Sequence, residues 1–473
     1  MIPPPSFPAE PVAAREDTPP PARWAAPLAH PWFFPVLSMV LLLPHFFTGP
    51  PFSPWFVRAG LPWVTSGDEP HYLVMLHSVL RDGDLDLRNN YDSALRGSTE
   101  AGARFARDPL YHHAAYYPGG RFAHWYSLYN SAAPPVEREG WWRFPARPGT
   151  PPELADQPEY STHPPGLPLV WAALLWPWRD STRLESYTLL LSGLVTCAAA
   201  WIFRRFMRRG GLDEGWSNLA TAVTFLGTPV WHYGRTDFAE PYLLCLALLA
   251  YHLLLAVDRP GFFRASTAGA ALAVGLLIKP PFALLAAPLF LLLVLRRQWG
   301  RAAVMALPLL AAAGATLVLN DRWFGSPWRP AQAWNSGNLA GGMAGFFFRW
   351  DKGLIFYAPA LILALACWPR FVRTAGATAW VLLGGIVPYF LLMSLWKEWH
   401  GGYCYGPRLI LPLLPLAFAA LVTAPACLAA RAGQATVQRL VELVILASLA
   451  MNTAAIIFFR PFWGGFPLFR LFE

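Results

Sequence analysis

The sequence predicts an all-α polytopic membrane protein of about eleven transmembrane helices, with a large first external loop and juxtamembrane helices lying on the surface. Three observations predict this class. The chain of 473 residues is 55% hydrophobic and only 14% charged, whereas about a quarter of the residues in a soluble protein are charged. Apolar segments recur from residue 32 to residue 459. The arginines concentrate between these segments, as topology signals do.

The N-terminal part predicts a tail followed by an uncleaved anchor. Residues 1–30 are rich in proline and alanine and lack apolar periodicity, so we expect a disordered cytoplasmic tail. The first apolar run, 32–47, comes late and has no convincing small-residue cleavage site, which favours a first transmembrane helix. Residues 31–473 then form one membrane domain.

The external loop 49–162 belongs to that domain. It is over a hundred residues long, and its many aromatic residues make it unlike a flexible linker. Long loops in compact domains are usually functional. We therefore expect this loop to fold against the membrane face.

Ten further spans follow the large loop. They are predicted at 184–203, 216–233, 238–257, 266–278, 282–295, 302–319, 354–369, 376–395, 408–424 and 440–459. With this assignment the arginine-containing loops at 204–209, 259–264, 296–301, 370–373 and 431–439 all lie on the side of the N-terminal tail. The positive-inside rule makes that side cytoplasmic.

The region 266–295 decides the parity of the spans. As one straight helix it would be about 45 Å long, well above the roughly 30 Å hydrocarbon core. Lys279-Pro280-Pro281 interrupts it, because proline disfavours helix at the preceding residue and removes a donor. We predict two short helices joined by a turn below the outer surface. Such a turn is tolerated where it lines a cavity, which makes Lys279 a candidate functional charge.

Two short helices are predicted at the external surface. Asp68 and Glu69 open the first, 69–81, with Asp68 as an N-cap residue type and Pro70 in the first turn. The second, 164–177, follows the motif Ser-Thr-His-Pro-Pro-Gly at 161–166. Both are too short to cross a bilayer. We expect them to hold the acidic pair and His163 at the water–lipid boundary.

The predicted external face collects acids, bases and aromatic residues at helix ends. Its other members are the segment 235–240 with Asp237 and Glu240, the turn at Lys279, the long loop 320–352, and the segment 396–408. Transfer of a sugar from a lipid-linked phosphate fits this set. The acceptor hydroxyl needs a general base, which a carboxylate can supply, and the leaving phosphate needs cations.

Several motifs in the same order resemble those of the GT-C glycosyltransferases, in particular the protein O-mannosyltransferases and the lipid A aminoarabinose transferases. They are the acidic pair after the first span, His-Pro-Pro-Gly at 163–166, Asp-Phe-Ala-Glu-Pro at 237–241, Lys-Pro-Pro-Phe-Ala-Leu-Leu at 279–285 and Tyr-Gly-Pro-Arg at 405–408. The resemblance covers residues 32–424. It implies a polyprenyl-phosphate sugar donor, an inverting reaction and an acceptor that is a lipid, a glycan or a protein.

The resemblance also implies roles for particular residues. Asp68 corresponds to the catalytic acid that activates the acceptor, Glu69 to its partner, and Asp237 to the acid of the loop after the third span. His163 stands where aminoarabinose transferases have a lysine that meets the donor phosphate. Because histidine is only partly charged at pH 7, Lys279 and Arg408 are expected to complete that phosphate site.

Three more residues of this face are predicted to contact substrate. They are Glu240, His400 and Tyr405. The bland alternatives are helix caps for the acids, a turn residue for His163 and an interfacial anchor for Arg408. For Lys279 the alternative is a pairing with Asp237 or Glu240 that only holds helices together.

Other functions are less well matched. A transporter or lipid flippase would place its acids near the bilayer midplane, often with internal repeats, and no repeat is evident. A non-catalytic assembly subunit remains open if Asp68 is only a cap. Nucleic acid is not an expected partner, whereas membrane lipids are. No cofactor is predicted and a divalent metal is not indicated, since the acidic run 82–92 lacks the glycine of a calcium loop. The expected location is a bacterial inner membrane with a periplasmic site.

Overall fold

The structure is a computed structural model that describes residues 27–46, 68–90, 114–124, 136–138, 141–143, 157–181, 184–329, 334–402, 404–430 and 435–458. The expected disorder of the tail concerns residues that lie almost entirely outside these ranges. Much of the external loop 49–162 and the motif residues 65–67 also lie outside them.

Helices make up most of the described chain. They are α1 (Phe33–Phe46), α2 (Glu69–His77), α3 (Gly166–Leu175), α4 (Leu184–Arg209), α5 (Glu214–Leu226), α6 (Val230–Tyr233), α7 (Glu240–Leu255), α8 (Phe262–Ile278), α9 (Ala286–Leu295), α10 (Trp299–Phe324), α11 (Leu339–Phe348), α12 (Leu354–Tyr357), α13 (Leu361–Ala375), α14 (Ala377–Leu395), α15 (Leu414–Phe418), α16 (Ala424–Ala429) and α17 (Ala435–Phe458). Shorter 3-10 turns precede or follow several of them, at Pro27–Ala29, Pro118–Gly120, Trp176–Trp178, Pro280–Leu285, Arg408–Leu413 and Ala419–Thr423. The turn Ser78–Asp82 that follows α2 is a π-helix.

The external loop contributes strands, so the all-α prediction is incomplete. Strands β1 (Ala114–Tyr117), β2 (Arg121–His124) and β5 (Tyr160–Ser161) form an antiparallel sheet in the order β2-β1-β5, and β3 (Val136–Arg138) pairs with β4 (Trp141–Arg143). Each strand has two to four residues. Such strands are too short to show the alternating pattern that identifies a strand in a sequence.

Five helical segments in the described part of the chain are long and apolar enough to cross a membrane. They are Leu184–Arg209, Trp299–Phe324, Ala377–Leu395, Arg408–Ala429 and Thr436–Ile456. Shorter apolar helices lie at most of the other predicted spans. The chain is therefore an integral membrane protein. The count of eleven spans stays a prediction.

Three of the arginine-containing loops, at 204–209, 259–264 and 296–301, lie on one side of the bundle. Arg296 and Gln298 both donate to the carbonyl oxygen of Asp258, at 3.1 and 2.9 Å, which joins the loop after α7 to the loop after α9. On the same side, Asn218 donates to the carbonyl oxygen of Leu28 in the N-terminal segment, and Arg204 donates to Asn218.

The predicted break at Lys279 is confirmed. Helix α8 ends at Ile278, and Lys279 is extended with φ −146° and ψ 113°. A 3-10 turn, Pro280–Leu285, then leads into α9. Because α8 and α9 therefore run as two arms, the lysine lies at the end of the bundle away from the arginine-rich loops.

Two elements differ from prediction. The long loop 320–352 contains helix α11, and α10 continues to Phe324 beyond its predicted end at residue 319. The first predicted surface helix also differs, because every residue from His71 to Ser78 is buried. His71 and His77 are 0% and 3% exposed. Helix α2 packs against α3, so it is a covered element of the bundle.

Candidate functional site

The site is built around a buried ion pair between Asp68 and Arg408. The guanidinium of Arg408 approaches the carboxylate through Nη1 to Oδ2 at 3.2 Å and Nη2 to Oδ1 at 3.4 Å. Both residues are less than a tenth exposed. Asp68 stands at the N-cap of α2, but its carboxylate makes no capping hydrogen bond. The structure therefore argues against the two bland alternatives, a helix cap for Asp68 and an interfacial anchor for Arg408.

Glu240 links this pair to Lys279. Its Oε1 lies 2.6 Å from Nζ of Lys279 and 3.9 Å from Nε of Arg408. Glu240 is in the first turn of α7 and is 1% exposed. The end of α8, the start of α7 and the turn after Pro407 thus meet at one carboxylate. The result is an alternating row of acid and base in the order Asp68, Arg408, Glu240 and Lys279.

Glu69 and Asp237 lie behind this row. The backbone N–H of Asp237 donates to Oε1 of Glu69 at 2.8 Å, which ties the segment before α7 to the first turn of α2. Both side chains are fully buried. Burial raises the pKa of the Asp237 carboxyl well above its usual range, and the neighbouring Glu69 raises it further. Asp237 is therefore expected to hold its proton at neutral pH.

His163 borders the row as a neutral side chain. Its ring centroid lies 5.1 Å from that of His71 and 5.7 Å from that of Tyr72. Burial lowers the pKa of His163; Asp68 opposes this effect, whereas Arg408 and Lys279 add to it. The imidazole can supply a hydrogen bond at pH 7, but it supplies little of the charge expected of a phosphate ligand.

This state of His163 gives a testable prediction. Because the imidazole is already deprotonated at neutral pH, raising the pH from about 7 to about 8 removes no charge from it. We expect the affinity for polyprenyl phosphate, measured in detergent micelles, to change little over that range. His163→Gln should weaken binding less than Lys279→Gln does. An affinity that falls steeply with rising pH in the wild type, but not in His163→Gln, would contradict this assignment.

Two residues that the sequence reading did not select hold Arg408 in place. The guanidinium carbon lies 4.5 Å from the ring centre of Phe238, a cation–π contact. The ammonium of Lys352 donates to the carbonyl oxygens of Gly402 and Cys404, at 2.9 and 2.6 Å, and so fixes the segment before Arg408. Lys352 is only 2% exposed. Its position after the aromatic run 346–350 shows no pattern that would have identified it.

His400 and Tyr405 do not join the ion-pair row. His400 is partly exposed and pairs with Glu398, Nε2 to Oε2 at 3.1 Å. The Tyr405 ring packs against His232 and Tyr357, with centroids 4.7 and 4.9 Å away. Both were predicted to bind substrate from their position on the external segment. In the structure Tyr405 is a packing residue of the bundle.

An apolar groove with a volume of about 250 Å³ lies beside the row. Pro164, which follows His163, and Pro280, which follows Lys279, are part of its wall. The remaining wall comes from α3, the end of α8 and the external end of α10, and includes Leu169, Leu277, Leu317, Trp323, Phe324 and Trp328. The apolar groove thus begins next to Lys279, one of the two cations of the row.

Gly166 allows the close packing that forms this arrangement. A Cβ at residue 166 would overlap the backbone of Leu277 and Ile278, immediately before Lys279. We expect Gly166→Ala to push α3 away from α8, to lower stability by about 1–3 kcal/mol and to weaken donor binding. The measurements are the melting temperature and the KM for donor. Gly314→Ala, in α10 where a Cβ meets nothing within 4 Å, is the matched control. Equal effects of the two substitutions would contradict the prediction.

No group of three histidine, cysteine, aspartate or glutamate side chains in the described part of the chain could hold a metal ion. Asp68 and Glu240 instead face cations, and Glu69 accepts a hydrogen bond from a backbone N–H group.

Comparisons with known proteins give two likenesses in structure. No family model and no curated protein matches the chain. The crystal structure of ArnT from Cupriavidus metallidurans bound to undecaprenyl phosphate is similar over 91% of this chain and 66% of its own, with 14% identity and a TM-score of 0.49. The archaeal oligosaccharyltransferase AglB from Archaeoglobus fulgidus, in complex with an inhibitory peptide and a dolichol-phosphate, is similar over 93% of this chain and 57% of its own, with 10% identity and a TM-score of 0.47.

The chain thus spans about two thirds and just over half of the lengths of those two proteins. At these identities neither structure assigns a role to a residue of this chain.

Proposed function

We propose that this protein is a GT-C glycosyltransferase that moves a sugar from a polyprenyl phosphate to an acceptor hydroxyl or amine at the external face of the membrane. The observation that supports it most is the position of the Asp68, Arg408, Glu240 and Lys279 row beside the apolar groove. An amphiphile with a phosphate at one end and a hydrocarbon chain at the other matches both parts. The motifs that resemble the GT-C family contain all four residues.

The proposed reaction is a single displacement. Asp68 accepts the proton of the acceptor hydroxyl while the oxygen of that hydroxyl forms a bond to the anomeric carbon. The bond from that carbon to the phosphate oxygen breaks, and the lipid phosphate leaves with the electron pair. The configuration of the anomeric carbon is inverted. Lys279 and Arg408 offset the charge that develops on the leaving phosphate.

The ion pairs of the resting site suggest how the donor prepares it. In the absence of substrate, Asp68 and Glu240 neutralise Arg408 and Lys279. A phosphate that enters between them takes over part of the hydrogen bonding of Arg408, which frees the Asp68 carboxylate to accept a proton. Arginine forms charge-assisted hydrogen bonds with both kinds of partner, the Asp68 carboxylate and the donor phosphate.

The proposed setting is the inner membrane of a bacterium with the site on the periplasmic side. The arginine-rich loops support this orientation through the positive-inside rule. Cysteine-accessibility labelling at residue 398 tests it. Labelling from the cytoplasm would contradict the proposed orientation.

A liposome assay distinguishes the proposed activity from that of a flippase. The purified protein is reconstituted with polyprenyl phosphate bearing a labelled sugar, and a cell-envelope extract supplies acceptors. Transfer predicts cleavage of the sugar–phosphate bond and accumulation of lipid phosphate. Movement of the intact lipid between leaflets without cleavage would contradict the proposal, as would efficient transfer from a nucleotide sugar without lipid carrier.

A further inference from the structure

Two helices of the candidate site, α7 and α8, continue to a second group of charges at their opposite ends. Helix α7 packs against α8 and also against α4, whose end joins this group. The first turn of α7 and the end of α8 contribute Glu240 and Lys279 to the site. Their other ends, together with the last turns of α4, carry Arg205, Arg209 and Arg264. At 1.5 Å per residue, α7 and α8 separate the two groups by roughly 25 Å.

The three arginines surround one histidine. The guanidinium of Arg209 lies 3.3 Å from Nε2 of His252, which is in the last turn of α7 and is 8% exposed. Arg205 and Arg264 both act electrostatically on the same imidazole. Arg205 and Arg209 are four residues apart on one helix, so their charges repel across a single face. The fold therefore brings three positive charges within electrostatic range of one imidazole, and Arg209 is in contact with it.

Neighbouring arginines differ from these three, because they have partners within the protein. Arg204 pairs with Glu214, and Arg208 donates to the carbonyl oxygen of Leu212. Arg296 lies 3.7 Å from Asp258. Within the ranges that the structure describes, Arg205, Arg209 and Arg264 form no ion pair with a carboxylate within 4.0 Å. At the end of α4, Arg204 and Arg208 thus have partners within the protein, whereas Arg205 and Arg209 on the same helix have no carboxylate partner among the described residues.

Exposed aromatic rings flank the cluster. The guanidinium of Arg205 lies 4.7 Å from the ring centre of Trp201, which is 44% exposed. Phe262 and Phe263 open α8 just before Arg264, and Phe263 is 82% exposed. Aromatic side chains of this kind mark the level of the lipid headgroups. A ligand at this level has its acyl chains in the bilayer and its charge among the arginines.

We propose that Arg205, Arg209 and Arg264, with His252 at their centre, form a binding site for the phosphate headgroup of an anionic phospholipid in the leaflet opposite the candidate active site. The site is separate from the proposed transfer chemistry. The phosphate diester accepts hydrogen bonds from the guanidinium groups, for which arginine has a suitable geometry. Clusters of basic residues at this depth recognise anionic lipids by the same chemistry.

Lipid binding to the intact protein tests the site. The protein in phosphatidylcholine nanodiscs is titrated with phosphatidylglycerol, and bound lipid is measured by native mass spectrometry. We expect one tightly held phosphatidylglycerol per chain. The triple variant Arg205→Gln, Arg209→Gln, Arg264→Gln should bind it at least about tenfold more weakly, since the phosphate loses its charge-assisted hydrogen bonds.

A second triple variant controls for net charge. Arg208→Gln, Arg370→Gln, Arg373→Gln removes the same charge from the same side of the protein and should leave the affinity unchanged. An equal loss in both triple variants would overturn the proposal, because the field of the whole face would then suffice. A competition experiment with inorganic phosphate distinguishes a lipid site from a site for free anions. Displacement of phosphatidylglycerol by an equal concentration of inorganic phosphate would show a free-anion site and would also overturn the proposal. Because the three arginines are at the surface, unchanged melting in pure phosphatidylcholine is expected for both variants.

Discussion

Replacing Asp68 by asparagine should abolish sugar transfer while leaving the lipid phosphate bound. The substitution keeps the size of the side chain and removes the base, whose contribution is on the order of 10²–10⁴ in rate. It also removes the carboxylate that occupies Arg408 at 3.2 Å in the resting site. Polyprenyl phosphate should therefore bind Asp68→Asn at least as tightly as it binds the wild type. Turnover of labelled donor and equilibrium binding of a fluorescent polyprenyl phosphate measure the two effects.

The opposite changes in rate and binding separate a catalytic Asp68 from a structural one. A structural role predicts that binding and turnover fall together with the melting temperature. Asp180→Asn is the matched control, because Asp180 is an exposed acid that pairs with Arg179 beside it and with no other residue that the structure describes. If Asp68→Asn kept more than about a tenth of wild-type turnover, the general-base assignment would be wrong.

Removing the Lys279 charge should affect stability and transfer by different routes. Lys279→Met leaves Glu240 buried with one cation fewer, and loss of one partner of a buried pair typically costs about 3–5 kcal/mol. Arg408 reduces that cost, because its Nε lies 3.9 Å from Oε1 of Glu240 and still offsets part of the charge. Transfer should fall roughly ten- to a hundredfold beyond any loss of folded protein, because the leaving phosphate loses a charge-assisted contact. Denaturant unfolding and kcat/KM on the folded fraction measure the two effects.

A double variant separates the two effects. Glu240→Gln together with Lys279→Met removes the uncompensated charge, so the free energy of unfolding should return toward that of the wild type. Transfer should stay low, since the phosphate still lacks Lys279. If transfer recovered together with stability, Lys279 would be a structural partner of Glu240 and the proposed phosphate site would lose its central residue.

The sequence predicted that four charged residues lie at the same end of the bundle, but it did not predict how they pair. Hydropathy and arginine placement put Asp68, Glu240, Lys279 and Arg408 at one end of the bundle, and the structure brings all four within one row of contacts. The predicted topology was enough to place these residues at one end of the bundle, because each of them lies at the beginning or the end of a helix. It could not give the pairing of Lys279 with Glu240 and not with Asp237, since that depends on the rotation of α7 about its axis.

Other features depend on contacts between distant segments. The neutral state of His163 follows from its burial against α2, which the predicted surface position of that helix did not suggest. Lys352 is fixed by carbonyl oxygens of a segment some fifty residues later. The strands of the external loop come from segments too short to show a period. These features require tertiary packing, which a single sequence does not display.

Simultaneous measurement of both products tests the central claim most directly. Purified protein is incubated with polyprenyl phosphate bearing a labelled sugar and with a cell-envelope extract, and the labelled acceptor and the free lipid phosphate are quantified together. The account predicts equal molar amounts of both with the wild type and neither above background with Asp68→Asn. Release of lipid phosphate that does not depend on Asp68, or no cleavage of the lipid-linked donor by the folded wild-type protein, would contradict it.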